Sequence, residues 1–425
     1  MNLELSRRPR INTLYAILLI AFIFWQFTSF SLTDTLCKCC LFVVFIYCII
    51  QGKCEERILN PYYLFAITPL SLLIYDSSIA DAYYLELKLS TILLALINMI
   101  VFLFFFKKTS ISSKNNDSYI FNTSQNLIKH GWILFLISCV GNIIPPLASV
   151  LQLCVFLAIP CIVKSKKWGH LILMLLLWFV LNMDHMTKSF LLQALIILSI
   201  SYLRFTRKRE NVNIKIIIFA FLSLLLMLEM FNLKAYLADG GSFIGYISGD
   251  KNNYNLVEDF LDARSYVDWN YSNILLMPYF YLTTPWTNLQ YVIDTQATHT
   301  YGLWAIKPIL GWLKLDDYFN SEYTLYSYSV FNTFTYITVF FKDFGYWGSC
   351  LGSAALGFFV KKIYSRYILF PSPFSAACYA MTAQATLEMF FSNHFFMQSY
   401  PFTILVIAYI YRFAVKLFTR AQYTN

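Results

Sequence analysis

Apolar runs alternate with short Lys/Arg clusters from Arg7 to Arg420, and this alternation constrains the fold more than any other property of the chain. In hydrocarbon, backbone N–H and C=O groups must be satisfied within the segment itself, so apolar runs of about 20 residues read as helices. The composition agrees. Hydrophobic residues make up 58% and charged residues 13%, whereas a water-soluble domain carries roughly 25% charged. A formal net charge of +9 does not signal nucleic acid, because the positive residues sit in small groups between apolar runs, where they set topology.

The expected class is an all-α polytopic membrane protein with about twelve transmembrane helices. The runs fall near Ile11–Ser29, Leu36–Gln51, Leu59–Tyr75, Leu89–Phe106, Gly131–Ile143, Leu147–Val163, His170–Met183, Ser189–Phe205 and Ile214–Leu233, then Gly345–Val360, Phe374–Phe391 and Pro401–Leu417. The first, preceded by Arg7, Arg8 and Arg10, is longer than a signal-peptide core and reads as an uncleaved helix. Pro145-Pro146 predicts a tight return between two helices. Most Lys and Arg residues fall on one side of this scheme, including Lys53, Lys107, Lys164, Arg204, Lys362, Arg366 and Arg412. That asymmetry places both termini in the cytoplasm.

The alternation fails once, between Tyr236 and Phe344. This stretch is rich in Tyr and Trp and carries more acid than base; on the charge count it faces outward. It divides the chain into an N-terminal membrane bundle (residues 1–233), a large periplasmic loop (234–344) and a C-terminal bundle (345–425). No cysteine lies between Lys234 and Gly345, which excludes a disulfide-held domain there. Cys37, Cys39 and Cys40 read as packing residues. Residues 274–286 are too short and Pro-broken to span, and predict a re-entrant or interfacial helix.

Ionisable groups bordering spans are expensive and mark functional sites. Here they collect at the outward ends of several helices: Asp184, His185 and Lys188; Glu229 and Lys234; Lys342 and Asp343; Glu388 and His394. Basic groups at that depth suit a phosphate or pyrophosphate headgroup. Arg264, the one arginine on the outward side, is the best single candidate for a bidentate contact, with a salt bridge to Asp262 or Asp268 as the plainer role. Trp286, Trp304 and Trp312, with Tyr266, Trp269 and Tyr271, can stack on sugars or anchor the loop at the interface. Gly-rich phosphate loops, HExxH and Gly-x-Ser-x-Gly do not occur in the sequence, which argues against an ATPase or a metal-dependent hydrolase.

Phe331-Asn332-Thr333-Phe334-Thr335, followed by Phe341-Lys342-Asp343-Phe344-Gly345-Tyr346-Trp347-Gly348, resembles the Asn-Thr…Asp-Phe-Gly-x-x-Gly stretch of Wzy-type O-antigen polymerases. Leu59-Asn60-Pro61, Thr187-Lys188-Ser189 and Pro285-Trp286-Thr287-Asn288-Leu289 are similar to that family as well. The resemblance implies a GT-C-like, metal-independent glycosyltransferase of the bacterial inner membrane. It would join oligosaccharide repeat units carried on undecaprenyl pyrophosphate, without a cofactor and with a chain-length regulator protein as a possible partner. Where the family tends to place Arg, this chain has Lys188, so pyrophosphate binding is expected from Arg264, Lys188, Lys234 and Lys342. Asp343, Glu388, His394 and His299 compete as the base, with Asp343 or Glu388 favoured and capping of the helix that follows as the plainer, compatible role of Asp343, and Trp286 and His299 are further substrate contacts. Alternatives are a flippase for the same lipid-linked units and an O-antigen ligase.

Overall fold

The computed structural model describes residues 32–54, 59–75, 87–107, 124–141, 148–182, 188–206, 273–295, 298–312, 315, 333–392, 395 and 400–423. All secondary structure among them is helical. The first half contains α1 (Leu32–Cys54), α2 (Pro61–Phe65), α3 (Ile67–Leu73), α4 (Leu89–Phe106) and α5 (Ser124–Gly141). It continues with α6 (Ala148–Leu151), α7 (Cys154–Ser165), α8 (Trp168–Asn182) and α9 (Lys188–Phe205). The second half contains α10 (Asn273–Thr295), α11 (Leu303–Trp312), α12 (Tyr336–Leu369), α13 (Pro373–Leu387) with a 3-10 turn at Glu388–Phe390, and α14 (Tyr400–Tyr423). The expected runs at residues 11–29 and 214–233 and the Pro145-Pro146 return lie outside the described residues.

Two described helices, α1 and α4, are long and apolar enough to cross a membrane by length and composition. α4 has the expected bounds, Leu89 to Phe106. It turns Leu93, Ile97, Ile100 and Phe104 outward at helical spacing, and α8 likewise exposes Ile172, Leu173, Leu176 and Val180. Two expected runs instead break into pieces. Residues 59–75 form α2 and α3, where Asn60 caps α2 by accepting from the Tyr63 N–H at 3.1 Å and donating to the Gly52 carbonyl at 3.0 Å. The run expected at residues 147–163 is described from Ala148 and forms α6 and α7.

The basic ends of separate helices meet at one end of the bundle. Phe106, next to Lys107 at the end of α4, packs against Tyr364 of α12. Arg204 of α9 donates to the Ile368 carbonyl at 2.9 Å and lies over the Tyr367 ring. Lys164 of α7 lies over Phe205 of α9. At the opposite end, Lys88 beside α4 pairs with Asp294 of α10 at 2.7 Å.

α12 is a hairpin. Gly345 has φ 66° and ψ −155°, non-helical values that reverse the chain between a short arm (336–344) and a long arm (346–369). Side chains meet across the turn at separations a continuous helix forbids. A Cβ on Gly352 would stand 2.3 Å from the Phe340 ring, although the two positions are twelve residues apart and a straight helix would separate them by about 18 Å. Gly348 faces Phe344 in the same way. The long arm thus carries small residues on two faces. Gly348 and Gly352 admit the short arm, while Ser349, Ser353 and Gly357 recur every fourth residue against α4. Asn98 of α4 donates to Ser349 Oγ at 3.1 Å and accepts from Ser353 Oγ at 2.5 Å, and Gly357 lies on the Phe102 carbonyl. Close approach by small residues with interhelical hydrogen bonds is how helices associate where lipid removes the hydrophobic drive.

The stretch expected as an outward loop is therefore partly interior. Residues 274–286, expected to be a short re-entrant or interfacial element, belong to α10, a 23-residue helix that runs through both Pro278 and Pro285. Its second half is buried and hydrogen-bonded on several sides. Trp286 Nε1 donates to Ser71 Oγ at 3.0 Å, Thr287 bonds the Tyr75 hydroxyl at 2.9 Å, and Asn288 donates to the Thr333 carbonyl at 2.7 Å. Gln290 accepts from the Lys88 N–H and from Thr91. These partners satisfy a stripe of Thr, Asn and Gln in the interior.

Candidate functional site at the hairpin turn

The reversal at Gly345 leaves the carbonyls of Lys342 and Asp343 facing away from a continuing helix. The segment before α11 fills them: Thr300 N–H donates to the Lys342 carbonyl at 3.1 Å, and Tyr301 N–H to the Asp343 carbonyl at 3.0 Å. Tyr301 (φ 48°) and Gly302 (φ 93°) then take left-handed conformations that turn the chain into α11. The ring of Phe344 closes over Gly302, at 3.1 Å from where a Cβ would stand.

Asp343 joins these parts and is 0% exposed. Its Oδ1 accepts from Thr300 Oγ1 at 2.6 Å and from the Trp304 N–H at 2.9 Å, and its Oδ2 accepts from the Ala305 N–H at 2.9 Å. Those amides open α11, whose first N–H groups have no partner within the helix. Asp343 therefore caps a helix some forty positions earlier in the chain, and both its carboxylate oxygens are engaged by these donors. The geometry gives it a positioning role.

Around the turn lie side chains that do reach the surface. The His299 ring rests on Gly345, with Nε2 2.9 Å from the position a Cβ would occupy, and meets the Phe341 ring edge-on at 6.1 Å. Lys342 is half-buried, and its carbonyl is held by the N–H of Thr300, the residue after His299. Tyr301 is 80% and Trp347 85% exposed, and Phe344 and Tyr346 are exposed as well. An imidazole and a group of exposed aromatic side chains thus share one end of the hairpin, with Lys342 in the same turn. Tyr301, Tyr346 and Trp347 had no role assigned from sequence, although Trp347 sits inside the Asp-Phe-Gly-x-x-Gly stretch. No protein-family model, curated protein or solved structure matches the chain.

The other expected site residues lie elsewhere. Trp286 is 0% exposed, with its indole N–H bonded to Ser71, so its ring packs the interior and presents no face to a sugar. Trp304 is likewise buried. Glu388 is 5% exposed at the end of α13, where Gln384 Nε2 donates to both carboxylate oxygens at 3.3 and 3.2 Å. The adjoining Phe391 carbonyl accepts from the Phe334 N–H at 3.0 Å, which ties Glu388 to the foot of the short arm. Eight residues of helix, about 12 Å of rise, separate that foot from Asp343, so Glu388 is not part of the turn cluster. Lys188 opens α9, with its side chain outside the described residues, as are Arg264, Lys234 and His394. Among the described residues no three His, Cys, Asp or Glu gather as a metal site.

Proposed function

We propose that the chain is a multi-pass, GT-C-like glycosyltransferase of the bacterial inner membrane. It joins undecaprenyl-pyrophosphate-linked repeat units into O-antigen or a related surface polysaccharide at the periplasmic face. The observation that carries this reading is that the polymerase-like Lys342-Asp343-Phe344-Gly345-Tyr346-Trp347-Gly348 stretch forms the hairpin turn, with the His299 ring resting on it and exposed aromatics around it. The outward apolar stripes of α4 and α8 support a lipid environment, since water-soluble proteins rarely expose contiguous apolar surface. The convergence of Lys107, Lys164, Arg204 and the end of α12 supports a cytoplasmic face opposite the turn.

In the proposed reaction the growing chain is the donor. The bond between its anomeric carbon and the pyrophosphate oxygen breaks, and the electron pair leaves with the lipid carrier. A hydroxyl of the incoming unit forms the new glycosidic bond, and its proton passes to His299. Lys342 offsets the charge growing on the leaving oxygens, as a fixed cation does best in a poorly hydrated site. Tyr301 and Trp347 offer sugar-stacking faces, in place of Trp286.

The test is genetic and biochemical. Deleting the gene leaves lipopolysaccharide capped by a single repeat unit, and His299→Ala or Lys342→Ala reproduces that pattern with the protein still in the membrane. A deletion that removes even the single unit supports a ligase or flippase instead. Normal ladders from both variants overturn the site.

A further inference from the structure

At the basic end of the bundle, far from the hairpin turn, the long arm of α12, the first two turns of α13 and the middle of α14 line a cavity of about 920 Å³. Among the described residues three cations line it, Lys362 and Arg366, one helical turn apart on α12, and Arg412 on α14, and no Asp or Glu does. The opening turn of α13 adds Ser372 and Ser375, which form a capping box, and brings the positive end of that helix's dipole to the same rim.

Much of the remaining lining is apolar. Phe359 lies one turn before Lys362 on α12 and Leu405 two turns before Arg412 on α14, which carries apolar wall toward the middle of the bundle, while Phe370, Phe374 and Phe413 flank the cations. Head and tail requirements are thereby set in one cavity: anionic at the basic rim and hydrocarbon beyond it. A free inorganic anion would use the rim and leave the apolar depth empty. A zwitterionic lipid would bring its own cation against three others.

We propose that this cavity binds one anionic phospholipid, with the phosphate held between Arg366 and Arg412 and an acyl chain along Phe359 and Leu405. Basic pockets between helices at the cytoplasmic side are a recurrent way of holding such headgroups. The site is independent of the proposed glycosyl transfer, which belongs to the other end of the molecule.

The experiment is native mass spectrometry of the full chain released from phosphatidylcholine nanodiscs doped with phosphatidylglycerol. Wild type retains one phosphatidylglycerol. Arg366→Gln/Arg412→Gln retains it at least about tenfold more weakly, the loss expected for two charge-assisted contacts. Leu405→Trp, which fills the apolar depth and leaves every cation in place, loses it as well and serves if the double variant does not fold. Retention of phosphatidylglycerol by the folded variants at the wild-type level overturns the proposal. So does equal retention of phosphatidylcholine, or displacement of the lipid by millimolar inorganic phosphate.

Discussion

Gly345 combines φ 66° with ψ −155°, a region of backbone space that is essentially reserved for glycine, and the His299 ring occupies the space where a side chain would begin. Gly345→Ala is therefore expected to destabilise the fold by about 1–3 kcal/mol, read as a lower unfolding midpoint in detergent. An unchanged midpoint would contradict the hairpin geometry. Asp343 offers a sharper contrast. Asp343→Ala strands the Thr300 hydroxyl and two amides, a loss of about 1–3 kcal/mol, whereas Asp343→Asn keeps the shape and one acceptor and loses less. Chain extension in that Asn variant should track its residual stability. A stable Asp343→Asn protein with no extension would instead return Asp343 to the chemistry.

At the scale of elements, α12 and α4 associate through Asn98, Ser349 and Ser353, which exchange side-chain hydrogen bonds in the interior. Interhelical bonds of this kind are worth about 0.6 kcal/mol on average in a bilayer and up to about 1.7. Asn98→Leu removes both and leaves two hydroxyls facing an apolar group, so its effect on the unfolding midpoint should lie at the upper end of that range. Gly352→Leu is expected to be more severe, because its side chain would occupy the place of the Phe340 ring and force the two arms apart. Cysteine pairs placed across the arms would report this as a lost cross-link.

For the whole molecule, the ion pair between Lys88 and Asp294 joins α10 to the end of α4 opposite the basic rim. Partial burial raises the Asp294 carboxyl, but hydrogen bonds from Lys88 and Gln290, together with the Lys88 charge, outweigh it and hold the group below its ordinary value. A depressed carboxyl contributes stability above its unfolded value, near about 4, and loses it as pH falls through the lower folded value. The pair is solvent-exposed, so the contribution is at most about 1 kcal/mol. The difference in unfolding midpoint between wild type and Asp294→Asn should hold constant from neutral pH to about 5 and close only below about 4. Topology belongs to this scale too. Alkaline phosphatase fused after Thr295 should be active, and fused after Lys107 or Lys362 inactive, if the turn faces the periplasm.

The helical class, the bounds of α4 and the sides to which basic residues segregate were legible in the sequence, because hydropathy and charge act segment by segment. The start of a helix at Gly345 was legible as well, but the helical arm 336–344 folded back on it was read as part of the loop. What Asp343 does was not legible, because the amides it caps belong to α11 and meet it only when the chain reverses at Gly345. The burial of Trp286 was equally hidden: a Pro-broken segment reads as a short re-entrant or interfacial helix until Ser71, Tyr75 and Thr333 are in place to satisfy its polar side chains. Local composition fixes which segments become helices, but the pairing of their polar groups depends on contacts between residues hundreds of positions apart, and only the folded bundle decides those.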